Sequence, residues 1–460
     1  MDLPLTIKET QQGLRDKKFS AVELVDLYLN QIKKHNSELN VFITVTEEEA
    51  YKKAKEVDRS DLKSPLSGVV VSYKDIFLTK GIRTTAGSNV LKDFVAPYSA
   101  TAVKKIESQG AIPIGKLNCD AFAHGSSGEN SDMGETKNPW NKELTPGGSS
   151  SGSGAVLSSN MSLVSTGTDT CGSIRLPANY NYLVSLKPTY GAVSRYGVIA
   201  MASSLDTVGP LGHTIDDVEI MFNVMKGEDH LDGNVVDNHK DVSSKKDKFR
   251  IGIPKEFFVE GLNDEVRKNI EDAIKVLEKA GCEFVEVSLP STKYGISVYY
   301  IIQPAEVSSN LGRFDGIRYG NDRSFFGDEA KRRIMLGSYV LSAGYYDAYY
   351  NKAMKVRTII KNEVDRVFED VDAVIAPVAP DLPFKLGEKK NDPLAMYLND
   401  IYAATANLCG IPSLAIPSGF SRKGLPMGFQ LMAKRFNEAT LFSLGKLFHK
   451  EIDFKPKVAI

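Results

Sequence analysis

Residues 102–114, Ala102-Val-Lys-Lys-Ile-Glu-Ser-Gln-Gly-Ala-Ile-Pro-Ile114, place a helical pattern directly before a short apolar run. The run Gly68-Val-Val-Val71 has the same texture, that of a strand buried on both faces. Alternation of helices with short apolar strands predicts an α/β fold. Working outward, further strands are expected over 250–253, 283–287, 373–376, 413–416 and 427–432. Ser20 with Glu23, Thr46 with Glu49, and Thr214 with Asp217 have the spacing of helix-start capping pairs. A long helix is expected from Asn263 to Ala280, Tyr-rich helices over 329–368, and a last helix from Glu438 to about Glu451. The polar stretch Asp232 to Lys248 reads as an exposed connection.

Composition narrows the class of function. The chain has 460 residues, 57 Lys plus Arg against 58 Asp plus Glu, and a net charge of −1, so no charge excess calls for nucleic acid or anionic lipid. No apolar run reaches the roughly 18 residues of a membrane helix. The start Met1-Asp2-Leu3-Pro4 lacks the pattern of a signal peptide. Four separated cysteines, with no Cys-x-x-Cys pair, fit a reducing, cytoplasmic setting rather than a disulfide framework. No His-Glu-x-x-His is present, and no metal is expected.

Three stretches carry chemistry-bearing patterns. Gly110 to Leu117 nearly matches a phosphate-binding loop, but Leu117 stands where a magnesium-binding Ser or Thr is needed, and Ile112-Pro-Ile114 reads as strand. Asn118 to Gly172 is rich in Gly, Ser, Asn and Thr, and residues 147–154 are all Gly or Ser. Such a stretch is a linker or a functional loop. Gly148-Ser-Ser150-Ser-Gly152 matches a nucleophile elbow with Ser150 as nucleophile, but the preceding segment is a poor strand. His213, His230, His239 and His449 are available downstream as bases without any local signature. Gly167-Thr-Asp-Thr-Cys-Gly172-Ser173-Ile-Arg-Leu-Pro177 is a Gly-containing turn ending in Ser, with Pro early in the following helix, a pattern that presents several backbone N–H groups together. A serine nucleophile without histidine can use a neutral lysine, and Lys74, directly after an apolar strand, is the candidate.

Together, Ser-Tyr-Lys74-Asp, Gly147-Gly-Ser149-Ser-Ser-Gly-Ser153 and Asp169-Thr-Cys-Gly-Ser173-Ile-Arg-Leu-Pro-Ala178 resemble the amidase signature family. Ser151 and Cys171 replace glycines of the family pattern. Gly125-Ser-Ser-Gly-Glu-Asn130, Lys137-Asn-Pro-Trp-Asn141, Ser194 to Pro210 and Ser342-Ala-Gly-Tyr-Tyr-Asp-Ala-Tyr-Tyr350 narrow the likeness to the glutaminase subunits of tRNA-dependent amidotransferases, over nearly the whole chain.

The resemblance implies a single α/β domain over 1–460, with a mixed, largely parallel central sheet wrapped by helices. Within it, 1–65 would be an N-terminal helical segment, 66–225 the catalytic core motifs, and 250–460 the rest of the sheet and the substrate-pocket helices. It implies that Ser173 attacks a glutamine side chain, that Ser149, after a cis Gly–Ser peptide, relays the proton, and that Lys74 is the base. Backbone N–H groups of Thr170, Cys171, Gly172 and Ser173 would hold the oxyanion. Arg333, Asp400 and Tyr299 would bind the substrate. Read alone, Arg333 is a solvated helix residue and Asp400 a helix-start cap.

The resemblance further implies no cofactor in this chain, with ATP and magnesium used on a partner protein. The partners would be the B and C subunits of a heterotrimeric amidotransferase, with mischarged tRNA bound mainly by B and the ammonia used to convert Glu-tRNA(Gln) to Gln-tRNA(Gln), Asp-tRNA(Asn) to Asn-tRNA(Asn), or both. The alternatives are a stand-alone amide hydrolase of the same family and a catalytically silent scaffold subunit.

Overall fold

The computed structural model describes residues 3–236, 246, 248–258, 261–317, 320–389 and 392–460. His239 and most of the expected 232–248 connection lie outside these residues. Among the described residues eleven strands form one sheet: β1 (Phe42–Val45), β2 (Val70–Lys74), β3 (Ile112–Leu117), β4 (Val164–Asp169), β5 (Val184–Lys187), β6 (Thr207–Gly212), β7 (Arg250–Pro254), β8 (Glu283–Val287), β9 (Ala373–Ala376), β10 (Ser413–Phe420) and β11 (Pro426–Ala433). Their order is β1-β3-β2-β4-β6-β5-β10-β11-β9-β7-β8.

The α/β class and the mixed sheet are as expected. Parallel pairing is concentrated in two blocks, β3-β2-β4 and β9-β7-β8. Between and outside these blocks the described pairings are antiparallel, six against four parallel. The two parallel blocks are the core of the mixed sheet. β10 and β11 are joined by residues 421–425 alone, a connection that only antiparallel neighbours can use.

Each apolar run expected as a strand is one, including Ile112–Leu117, where a phosphate loop would need irregular backbone. β1, β4, β5 and β6 are not among the expected strands; β1 begins within the short apolar run Val41-Phe-Ile43, whereas β4 holds none. Ser165-Thr-Gly-Thr-Asp169 in β4 is fully buried yet small and polar, so its hydropathy gives no strand signal. The helix packed on it takes up part of its polar groups: Ser153 Oγ donates to Thr166 O at 2.9 Å and Ser165 Oγ to Ser153 O at 2.8 Å.

That helix, Ser151–Ser158, grows directly out of the Gly/Ser run, which is therefore buried structure and not a linker. The run is small because the backbone passes close by. A Cβ on Gly152 would lie 2.7 Å from Asn118 O and 2.8 Å from Val41 O. Ser151, in place of a family glycine, is accommodated with its hydroxyl donating to Thr136 Oγ1 at 3.3 Å.

Ser20–Glu23 and Thr214–Asp217 form complete capping boxes. Thr46 does not cap its helix, Glu47–Val57; its hydroxyl donates to Pro113 O at 3.4 Å, tying the helix start to β3 instead. The Tyr-rich region divides into the helices Asp328–Val340 and Lys352–Asp370, with a π-helical turn at Tyr346–Asn351.

Candidate active site

Lys74 ends β2 and is fully buried. β2 pairs in parallel with β3 and β4, which brings the Lys74 ammonium among residues that follow both neighbours. Its Nζ donates to Ser149 Oγ at 2.7 Å and to Thr168 Oγ1 at 3.0 Å. Burial lowers its pKa to about 8, against the opposing pull of Cys119, Asp120, Asp206 and Asp169. Its own neighbour is fixed from behind: Asp75 lies 3.1 Å from the buried Lys116 ammonium and accepts from Thr85 N at 2.7 Å.

Ser149 follows a cis Gly148–Ser149 peptide. Its carbonyl accepts from Asp120 N at 3.2 Å. The next residue links the two serine loops, since Ser150 N donates to Ser173 O at 3.1 Å. Ser150 itself does not fit a nucleophile elbow. No strand leads into it, and its Oγ donates to Thr168 O at 3.3 Å. Among the described residues no histidine side chain hydrogen-bonds to a serine of either loop.

The turn that presents Ser173 hangs on Asp169 and Arg175. Arg175 is fully buried; its Nε donates to Asp169 Oδ2 at 3.0 Å and its Nη2 to Asp169 Oδ1 at 3.1 Å. Gln430 and Asn407 take up the rest of the guanidinium at 2.7 Å each. Burial alone would raise the Asp169 carboxyl, but Arg175 overrides it and holds the pKa at about 2. Gly172 supplies the left-handed φ of +93° that the turn requires.

Its N–H donates to Asp169 Oδ1 at 2.7 Å, which corrects one expectation. Gly172 is engaged in holding the turn and does not belong to the free oxyanion donors. The N–H groups of Thr170, Cys171 and Ser173 make no hydrogen bond among the described residues. Thr170 is fixed through its hydroxyl, which donates to Asp206 Oδ1 at 2.7 Å.

Arg333, Asp400 and Tyr299, from three separate helices, are gathered at the same turn. Cys171 Sγ lies 3.8 Å from Asp400 O as its donor. Tyr300 donates its hydroxyl to Asp400 Oδ2 at 2.9 Å and stacks on Tyr397 with ring centres 3.8 Å apart. The Arg333 guanidinium packs 5.4 Å from the Tyr300 ring centre, and its Nε donates to Glu329 Oε1 at 2.7 Å. Tyr299 is buried edge-on against Tyr300 at 4.9 Å. Neither a solvated Arg333 nor an exposed capping Asp400 survives, at 4% and 7% exposure. Burial raises the Asp400 carboxyl to about 7, opposed by the Tyr300 hydroxyl and by Arg333.

Thr168, Asp206, Glu329 and Tyr300 also lie at the site; Thr168 and Asp206 stand in the sequence only as parts of the stretches 167–177 and 194–210, and no motif marks Glu329 or Tyr300. Asp169 and Arg175 stand in the sequence only as parts of a motif, although their six-residue spacing across a Gly turn is a signal of their pairing. Arg175→Ala leaves the Asp169 carboxylate buried and unpaired, a loss of about 3–5 kcal/mol. Urea unfolding followed by fluorescence should show a lower midpoint, and an unchanged midpoint would mean the pair does not hold the turn.

The Amidase family model matches residues 23–442 of this chain. The chain is 47% identical to the second A subunit of glutamyl-tRNA(Gln) amidotransferase of Clostridium acetobutylicum, over 98% of this chain and 99% of the relative. It is 46% identical to the A subunit of the same amidotransferase of Carboxydothermus hydrogenoformans, over 99% of each. Among solved structures, that of the glutamyl-tRNA(Gln) amidotransferase A subunit from Thermotoga maritima is similar with a TM-score of 0.83 and 38% identity, covering 98% of this chain and 96% of the other.

Proposed function

Because this chain belongs to the amidase family, we propose that it hydrolyses an amide through Ser173, Ser149 and Lys74, and that the amide is the side chain of free glutamine. The observation that carries the reading is the fully buried Lys74, hydrogen-bonded to Ser149 Oγ, beside the turn that presents Ser173. Ser173 Oγ attacks the carboxamide carbon. Its proton passes through the Ser149 hydroxyl to neutral Lys74. The tetrahedral oxyanion receives N–H groups from Thr170, Cys171 and Ser173. The proton returns by the same route to the departing nitrogen, and ammonia leaves. Water then cleaves the ester on Ser173, giving glutamate.

The names of the relatives extend this reading to an assembly. The chain is then the glutaminase component of a cytoplasmic amidotransferase that includes the B and C subunits. The B component binds ATP, magnesium and the mischarged tRNA, and uses the ammonia to convert Glu-tRNA(Gln) to Gln-tRNA(Gln).

Arg333 and Asp400 separate this reading from that of a general amide hydrolase. A free amino acid brings a carboxylate for Arg333 and an ammonium for Asp400. Loss of one partner leaves the other charge unpaired in a closed pocket, at about 2–5 kcal/mol. Arg333→Ala and Asp400→Ala should each raise the KM for glutamine sharply and alter hydrolysis of a simple amide without α-groups much less. Steady-state kinetics on both substrates tests this. Equal losses on both would leave these residues supporting the fold only.

A further inference from the structure

One buried histidine is left unused by this mechanism. His124 closes the turn Ala121–His124, in which two consecutive non-glycine residues, Phe122 at φ 51° and Ala123 at φ 63°, are left-handed. Such conformations cost about 1–2 kcal/mol per residue and persist where their surroundings hold them. Here Phe122 N donates to Ala86 O at 2.8 Å, His124 N to Ala121 O at 2.9 Å, and Asn130 Nδ2 to His124 O at 2.9 Å.

The turn places the imidazole at the seam between the two halves of the site. On one side, the chain just beyond it touches the serine loop: a Cβ on Gly148 would lie 2.7 Å from Ser127 N. On the other, Phe122 packs on Phe314 and Phe326 at 5.3 and 5.4 Å, next to the helix that carries Arg333. The ring is 1% exposed, and neither nitrogen has a hydrogen-bond partner. Buried polar atoms are rarely left so, because each forfeits its hydrogen bond to water. Burial and the positive charge of Arg333 keep the imidazole neutral, with one N–H to give. His213 is also buried with two unpartnered nitrogens, but burial alone acts on it and no charged side chain bears on it.

We propose that His124 is a substrate-binding residue whose ring N–H donates to the α-carboxylate of glutamine, alongside the Arg333 guanidinium. The inference rests on the glutaminase reading above. Beside a fixed cation the complementary ligand group is an anion, and a neutral ring adds a donor to it without adding charge.

The test is binding to the full chain carrying Ser173→Ala, measured by calorimetry with L-glutamine and with L-glutamine α-amide, whose neutral carboxamide replaces the carboxylate. A hydrogen bond to a charged group is worth about a tenfold to hundredfold change in affinity. Adding His124→Met, close in volume, should weaken L-glutamine by about that factor and the α-amide by less than about threefold. His124→Asn keeps a donor and should recover part of the loss. An unchanged Kd for L-glutamine in His124→Met, or equal weakening of both ligands, would overturn the proposal. If the chain with His124 intact and Ser173→Ala binds no glutamine, the glutaminase reading falls and takes this inference with it.

Discussion

Ser173→Ala should remove glutamine hydrolysis while leaving the fold standing. Loss of a serine nucleophile costs about 10⁴–10⁶-fold in kcat, and the residual rate comes from oxyanion donors and binding alone. Stability should change by about 0.5 kcal/mol or less, because the turn is held by other groups. Asp169, Arg175 and Gly172 fix its backbone, and Ser150 N holds the Ser173 carbonyl. The Ser173 hydroxyl itself makes no hydrogen bond among the described residues, so its removal leaves no partner stranded. The measurement is kcat for glutamine beside a thermal melt. Hydrolysis by the variant within about tenfold of the native rate would move the nucleophile elsewhere.

Lys74→Arg should lose about 10²–10⁴-fold in kcat/KM, the usual contribution of a general base. The effect turns on charge and not on size. Burial lowers the Lys74 pKa from 10.5 to about 8, so a fraction of molecules near neutral pH holds the free amine that can accept a proton through Ser149. A guanidinium stays charged at every working pH and accepts nothing. The same chemistry fixes the pH profile. The active form is the deprotonated one, so native kcat/KM should rise with pH and level off above about 8. The rising limb should vanish in Lys74→Arg. Near-normal turnover by that variant, or a native rate that falls as pH rises from 6 to 8, would remove Lys74 from the role of base.

Both predictions concern residues legible in the sequence, and the reason is local. Lys74 follows an apolar run, and Ser173 follows a glycine in a turn that demands positive φ; each signal lies within a few residues of the group it marks. The α/β class was readable for the same reason, since helical and strand periodicities are properties of short windows. Strands β4 and β6 left no such trace, and β1 left only the short run Val41-Phe-Ile43. In β4 the side chains are small because a helix packs against them, and the Ser165 hydroxyl donates to that helix, so the residues look like loop until the partner is known.

The sequence by itself determined the class of fold and marked the turn of the proposed nucleophile and the lysine proposed as its base. Tertiary structure decided the charge state and the company of those groups. The Lys74 pKa is lowered because β2 lies between β3 and β4 and the side chain is buried, which is what the proposed role of base requires. Gly172 drops out of the oxyanion donors because a carboxylate three residues back is turned onto its N–H by Arg175, itself gripped by Gln430 on β11. Asp400 meets Cys171 from more than two hundred residues away in the chain, and Tyr300, bonded to Asp400, packs against Arg333 and Tyr299. No short window records such contacts, because they are set by which surfaces bury each other when the sheet assembles.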